Sequence, residues 1–281
     1  MNTSKLLIIG TASLDTLHFG GQTAHTIGGA GLYTALAAQF AGAEVTLLAP
    51  KPDPIPEILR PLNARVSWIG PAIAPEDLPR LEIAHHGGGK ATLIDASWGA
   101  EAALTPDHLP RGLEDFDFVH VAALSSAARM LAFVKAARRL GALRVSAGTY
   151  ARLVFNEPAN VRLVYEQTDA FFMNENEAVG LWGSSRVVDK MTTRASDDGL
   201  LFVTFDKRGV MVIAKSRAES IPAEPAEELD PTGAGDTFCG ATLAGLARGE
   251  HPIISAQNAT LLAARVIEHI GPEFLLGFPL L

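Results

Sequence analysis

The chain has one cysteine, Cys239, among 281 residues. That excludes an intramolecular disulfide framework, and no CxxC or Cys/His pair with zinc spacing occurs among the eight histidines. Basic charge is scarce too: 23 Lys and Arg against 31 Asp and Glu give a formal charge of -8 and a pI near 5.5. Nonspecific binding to DNA or RNA runs on cationic side chains, so no nucleic-acid partner is expected. Long apolar runs are missing. The N-terminal segment holds only the short run Leu6–Ile9, too brief for a signal-peptide core or a membrane span. The sequence therefore predicts a cytoplasmic protein with no membrane partner, and the run itself predicts a buried first strand. A P-loop is absent as well. The stretch Gly87-Gly88-Gly89-Lys90-Ala91-Thr92 has Ala91 where Ser or Thr is required and Ala84 where a glycine is required, and reads as a turn. Gly29-Ala30-Gly31 has Thr34 at the third glycine position of a dinucleotide fingerprint.

What is present is a core-forming composition, 48% hydrophobic and 19% charged. Short runs rich in Val, Ile and Leu recur at Leu6–Ile9, Val45–Leu48, Val66–Ile69, Phe118–Val121, Leu143–Ser146, Ala170–Met173, Leu201–Phe205 and Val210–Ile213. Between several of them lie helical patterns at Gly31–Ala41, Ser126–Leu140, Val161–Gln167, Asn176–Trp182, Ala234–Ala247 and Ile253–His269. This alternation predicts an α/β fold with a doubly wound, mostly parallel central sheet flanked by helices. Residues 14–27 and 81–97 break the rhythm. They alternate around glycine turns and predict hairpins outside the main sheet, a small β-strand lid. Pro50 to Pro61 carries five prolines and predicts an irregular connector. No repeat or interdomain linker is visible, so residues 1–281 are expected to form a single domain.

The chemistry concentrates in EELDPTGAGDTFCGA. Asp230 and Pro231 signal a turn, and Gly233-Ala234-Gly235 lets backbone N–H groups converge where a helix starts. Those donors and the helix dipole suit an anion, so an anion hole is expected there. Asp236 follows in the first helical turn, placed to accept the proton of an attacking alcohol, and the dipole is expected to keep it ionised. Taken by itself it reads as an ordinary N-terminal helix residue. Upstream, Asn174 and Glu177 stand three apart after an apolar strand, and taken alone they read as a plain capping box. Cys239 fits a small buried hydrophobe. His85 and His86 would face opposite sides of a strand, so they do not share a metal.

DPTGAGDTF resembles the C-terminal signature of the ribokinase (PfkB) family of carbohydrate kinases. The resemblance implies Asp236 as catalytic base, Gly233, Ala234 and Gly235 as the anion hole, and Asp230 beside a monovalent-cation site. Asn174 to Glu177 resembles the NxxE element of that family, which implies nucleotide binding at Asn174 and water-mediated magnesium binding at Glu177. Gly28-Gly29-Ala30-Gly31 resembles its first signature, implying acceptor binding at Gly28, Gly29 and Asp15. Thr204 to Gly209 resembles its TxGxxG nucleotide loop, with Asp206 in place of the first glycine, and Asn258 is implied beside the adenine.

The resemblance thus implies an ATP- and Mg2+-dependent kinase, with K+ as a further cofactor, that phosphorylates a hydroxyl of a small sugar or polyol, inositol included. A nucleoside kinase and a catalytically idle nucleotide- or polyol-binding sensor are the alternatives. A homodimer through the lid is implied as well. Two departures concern the acceptor: Ala147-Gly148-Thr149-Tyr150 stands where relatives often carry an aspartate, and Leu32 or Tyr33 where sugar kinases carry Asn. Tyr33 and Trp98 are candidates to stack on a nucleobase or pack on a sugar face.

Overall fold

Four aliphatic residues in a row, Leu6 to Ile9, explain the middle of the molecule. In β1 (Lys5–Ile9) Leu6 and Ile8 enter one hydrophobic cluster while Leu7 and Ile9 enter another. A strand wanted on both faces cannot alternate with polar residues, and burying each such side chain contributes about 1.5–3 kcal/mol. The computed structural model describes residues 3–88, 90–183, 199–215 and 217–277. Gly89, which the sequence places in the lid turn, lies outside the described residues.

The chain continues through β2 (Ser13–Phe19), β3 (Gln22–Gly28), α1 (Ala30–Phe40), β4 (Glu44–Leu48), β5 (Lys51–Pro52), α2 (Arg60–Arg65), β6 (Ser67–Ile69) and β7 (Ala72–Ile73). Next come β8 (Arg80–Gly87), β9 (Lys90–Ser97), β10 (Phe118–Val121), α3 (Ala127–Arg139), β11 (Val145–Ala147), α4 (Ala151–Asn156) and α5 (Pro158–Glu166). The remainder is β12 (Ala170–Asn174), α6 (Glu175–Trp182), β13 (Leu200–Thr204), β14 (Val210–Ala214), β15 (Arg217–Ile221), α7 (Ala234–Ala247), α8 (Pro252–Val266) and α9 (Glu273–Leu276).

Nine strands form the central sheet in the order β15-β14-β13-β12-β11-β10-β1-β4-β6, parallel from β6 to β13 and antiparallel at the β13–β14–β15 end. Helices α1, α7 and α8 cover one face, and α3, α5 and α6 the other. From β1 the chain winds outward to β4 and β6, then returns to wind the opposite way from β10. This reversal opens a crevice at the carboxyl ends of β1 and β10, the place where open α/β sheets bind ligands.

A second sheet, ordered β3-β2-β8-β9, stands apart as the lid. Ser13, Asp15 and Leu17 of β2 point to its buried face. On the other face His18 meets Glu82 at 2.7 Å and Thr16 meets His25 at 3.2 Å.

Some boundaries differ from the sequence expectation. The strand expected from Leu143 begins at Val145, because Leu143 lies 65% exposed in the turn after α3 while the guanidinium of Arg144 covers the Phe118 ring. The helix expected from Val161 begins at Pro158, whose fixed φ and missing N–H suit a first helical turn. The last long helix stops at Val266 rather than His269.

Candidate functional site

Gly233 is the N-cap of α7 and holds φ at 76°, a left-handed conformation that glycine adopts freely. A Cβ there would overlap the ring of Tyr33, which is buried in α1 directly beneath the turn. Further along, a Cβ on Gly240 would overlap the Thr34 carbonyl, so small residues let α1 and α7 approach closely. Gly235 has open space around it. Among the described residues the amides of Gly233, Gly235 and Asp236 have no hydrogen-bond acceptor, whereas Ala234 N–H donates to the Pro231 carbonyl at 3.3 Å. The sequence reading placed Ala234 with Gly233 and Gly235 in the anion hole. The turn engages its amide, and the amide of Asp236 takes its place among the free donors.

Asp236 retains some exposed surface but lies deep among protein atoms, and desolvation pushes its carboxyl up to about 7. The expected effect of the helix dipole, a carboxylate kept in its usual range, is outweighed by this burial. Glu177, 4% exposed, is pushed up to about 8, first by desolvation, with hydrogen bonds from Asn174 opposing and the charge of Asp236 adding to it. The two carboxyls therefore share one electrostatic neighbourhood. Asn174 and Glu177 form the full capping box of α6. Asn174 N–H donates to Glu177 Oε2 at 2.9 Å, Asn174 Nδ2 to Oε1 at 2.8 Å, and Glu177 N–H to Asn174 Oδ1 at 3.0 Å. Each carboxylate oxygen keeps acceptor capacity beyond that bond.

Among the described residues no group of three or more His, Cys, Asp or Glu can hold a metal ion unaided. This donor set fits Mg2+, which keeps most of its waters and takes few protein ligands when nucleotide phosphates supply the rest. Two desolvated carboxyls, one of them raised further by the charge of the other, are also what a cation would relieve.

At the acceptor end Asp15 is 2% exposed. Its Oδ1 accepts from Ser13 Oγ at 2.6 Å, and its Oδ2 has no partner. A side chain at Gly28 would overlap that carboxylate. Gly29 sits at φ 99°, and a Cβ there would crowd the Thr11 carbonyl. Burial pushes Asp15 up to about 7, with the Ser13 bond opposing and Asp230 adding to the rise. The Tyr33 hydroxyl, also unpartnered, rises well above its ordinary value through burial and through the carboxylates of Asp230, Asp15 and Asp236 around it. These three aspartates, from β2 and from both sides of the Gly233 turn, thus converge. Tyr33 supports the turn from below and is too deeply buried to stack on an acceptor. Trp98 remains half-buried, its ring 6.2 Å from that of Tyr150, and Thr149 Oγ1 and Tyr150 Oη are buried without partners.

The carboxylate of Asp230 is occupied on both oxygens: Thr232 N–H donates to Oδ1 at 2.9 Å and Gly271 N–H to Oδ2 at 2.7 Å. His85 Nε2 lies 3.3 Å from Oδ1, a contact the sequence reading did not anticipate. Alternation along β8 gives only its facing, inward with Leu81 and Ile83, and not the contact itself.

On the nucleotide side Thr204 lies beside Asn174 in parallel register. Gly209 sits at φ 100° where a Cβ would overlap the Ile221 carbonyl, and Asp206 holds φ 48° in the place of the usual glycine. Lys207 and Arg208 pair with Glu228 and Glu175. Asn258 is exposed on α8, and no contact among the described residues ties it to the other candidates.

A cytidine kinase from Thermococcus kodakarensis is 29% identical over 254 residues, covering 87% of this chain and 89% of the relative. The crystal structure of adenosine kinase from Sinorhizobium meliloti superposes with a TM-score of 0.84 at 18% identity, covering 100% of this chain and 97% of that one. Ribokinase from Cryptococcus neoformans var. grubii serotype A, in complex with ADP, gives 0.76 at 19% identity, covering 98% and 97%. At these identities the two structures establish the ribokinase-like fold. The sequence profile described as pfkB family carbohydrate kinase matches residues 7–276, so the chain belongs to that family and is an ATP-dependent phosphotransferase acting on an alcohol group of a sugar or nucleoside.

Proposed function

We propose that the chain transfers the γ-phosphate of ATP directly to a hydroxyl of a small sugar or polyol, inositol included, with Asp236 as the general base. The observation that carries this reading is the juxtaposition of the raised Asp236 carboxyl with three amides at the start of α7 that have no acceptor among the described residues. A base with a pKa near 7 holds and releases a proton at neutral pH, and fixed donors favour charge that develops in the transition state. Asp15 and the Gly28-Gly29 backbone orient the acceptor, while Asn174, Thr204, Gly209 and Asn258 border the nucleotide. Glu177 would hold Mg2+ through water, and the ion supplies charge neutralisation on the phosphates. A monovalent cation such as K+ is assigned to the Asp230 turn.

The test is ATP consumption with a panel of inositols, pentoses, hexoses and nucleosides, followed by Asp236→Asn with the best acceptor. Loss of about 10²–10⁴ in kcat is expected. Wild-type turnover by that variant would remove the base role. Tight ligand binding without product from any acceptor would favour the sensor reading. A nucleoside acceptor is the second reading, supported by the cytidine kinase relative and by the Trp98–Tyr150 pair beside the lid.

We further propose one domain over residues 1–281, a cytoplasmic location and a homodimer through the lid. The edge strand β9 supports the last point. Leu93 is half exposed and Ile94, the extra residue of a bulge, is 54% exposed. Light scattering on wild type and Ile94→Lys, and rates with and without K+, check the dimer and the cation.

A further inference from the structure

We infer that His85 is a positioning residue that ties the lid to the anion-hole turn, so that the free amides of α7 are held in place only when the lid is shut. This rests on the kinase reading for its consequence in catalysis, and on geometry alone for the tie itself. In β2 and β8, Asp15 stands opposite Leu81 and Leu17 opposite Ile83. Opposed residues share a face and strands alternate, so His85 continues the inward row of β8 while its neighbours Ala84 and His86 belong to the other face.

Its imidazole reaches the motif turn. Nε2 is hydrogen-bonded with Thr232 Oγ1 at 3.2 Å and lies 3.3 Å from Asp230 Oδ1, with the His85 and Asp230 side chains 4% and 0% exposed. A carboxylate only accepts, which favours the proton on Nε2. Asp230 in turn accepts from Thr232 N–H and, on its other oxygen, from Gly271 N–H. The turn from Asp230 to Gly233 is therefore held from three directions: by its own amide, by the segment after α8, and by the lid. Removing the lid's hold leaves Thr232, the residue immediately before Gly233, with its amide bond to Asp230 but without its side-chain tie.

A second observation ties this to the acceptor. His85 Nδ1 is buried and has no partner, as are Asp15 Oδ2 on the same lid face and Tyr33 Oη beneath the turn. With the proton on Nε2, Nδ1 is an acceptor that an alcohol hydroxyl can satisfy. A shut lid over a bound polyol then has all of its inward polar atoms paired, whereas a shut lid without one does not. Lid closure and the amide hole become linked to the presence of the acceptor, which suppresses transfer of phosphate to water.

The variants are His85→Ala, His85→Gln and His85→Asn, since a glutamine amide reaches the place of Nε2 and an asparagine amide that of Nδ1. Each is measured for kcat and KM, for the ratio of acceptor-independent ATP hydrolysis to transfer, and for amide hydrogen exchange at 80–87 and 231–237. His85→Ala should lower kcat by about tenfold or more with KM for ATP little changed, raise the hydrolysis ratio, and speed exchange in both segments. Gln should restore slow exchange at 231–237 better than Asn. Wild-type kcat and ratio in His85→Ala, or faster exchange confined to 80–87, would overturn the inference. If wild type phosphorylates no member of the panel, the kinase reading fails while the exchange measurements still decide the tie.

Discussion

A methyl group added at residue 233 and one added at residue 235 meet different surroundings, which separates folding from chemistry at the anion hole. Gly233 combines a positive φ with the Tyr33 ring beneath it. Gly233→Ala should cost at least about 1 kcal/mol in strain alone, and more from the overlap. Gly235 is already helical and has nothing within reach of a Cβ, so Gly235→Ala should leave thermal stability unchanged or raise it by about 0.5–1 kcal/mol. That methyl nevertheless enters the space in front of the free amides. The expected outcome is a Gly235→Ala protein with an unshifted or raised melting temperature and a kcat reduced by about 10²-fold or more, read by calorimetry and by steady-state kinetics on the same preparation. Wild-type kcat in Gly235→Ala would place the phosphate elsewhere.

At the level of elements, α6 shows how one residue serves a fold and a site together. Glu177 caps the helix through Asn174 and lies in the electrostatic neighbourhood of Asp236. Gln at position 177 keeps an acceptor for the Asn174 amide but loses the charge, whereas Ala loses both. Glu177→Gln should therefore cost about 1 kcal/mol or less and Glu177→Ala about 1–3 kcal/mol, while both raise the Mg2+ concentration at half-maximal rate. Denaturant melts and Mg2+ titrations check the two effects independently. The same double use explains what the sequence displays. Strands such as β1 and β12 are buried on both faces and carry the unbroken apolar runs Leu6 to Ile9 and Ala170 to Met173, and the boundaries of α7 follow from Gly233 and the small-residue helix after it. By contrast β15 escapes notice because four of its five residues are exposed at the sheet edge, leaving no apolar pattern. Asp236 is visible in its motif. His85 is not, because its significance depends on a contact made 145 residues away, at Asp230.

For the whole molecule, a chain of net charge -8 gathers buried carboxyls at one place, and this links its stability to pH and to ligand. Asp15, Glu177 and Asp236 are pushed up by burial to about 7, 8 and 7, from ordinary values of 3.8, 4.5 and 3.8. Between those limits the folded state binds more protons than the unfolded state. Their contribution to stability is thus full below about pH 4 and is lost as pH rises through 7 to 8. His120 pulls the other way at lower pH: burial holds it down to about 3, so protonation of the unfolded chain below 6.5 favours unfolding. The quantity to read is therefore a difference. Asp236→Asn should gain melting temperature relative to wild type as pH is raised from 5.5 to 8.5, because it has no carboxyl left to ionise in the site. Mg2+ with ATP should stabilise wild type more at pH 8.5 than at 5.5, since a cation and fixed donors favour the ionised carboxyls that burial disfavours. ATP with a chelator should lose most of that pH dependence. A stabilisation by Mg2+ and ATP that is the same at both pH values, and unaltered in Asp236→Asn, would mean that the nucleotide binds away from these carboxyls.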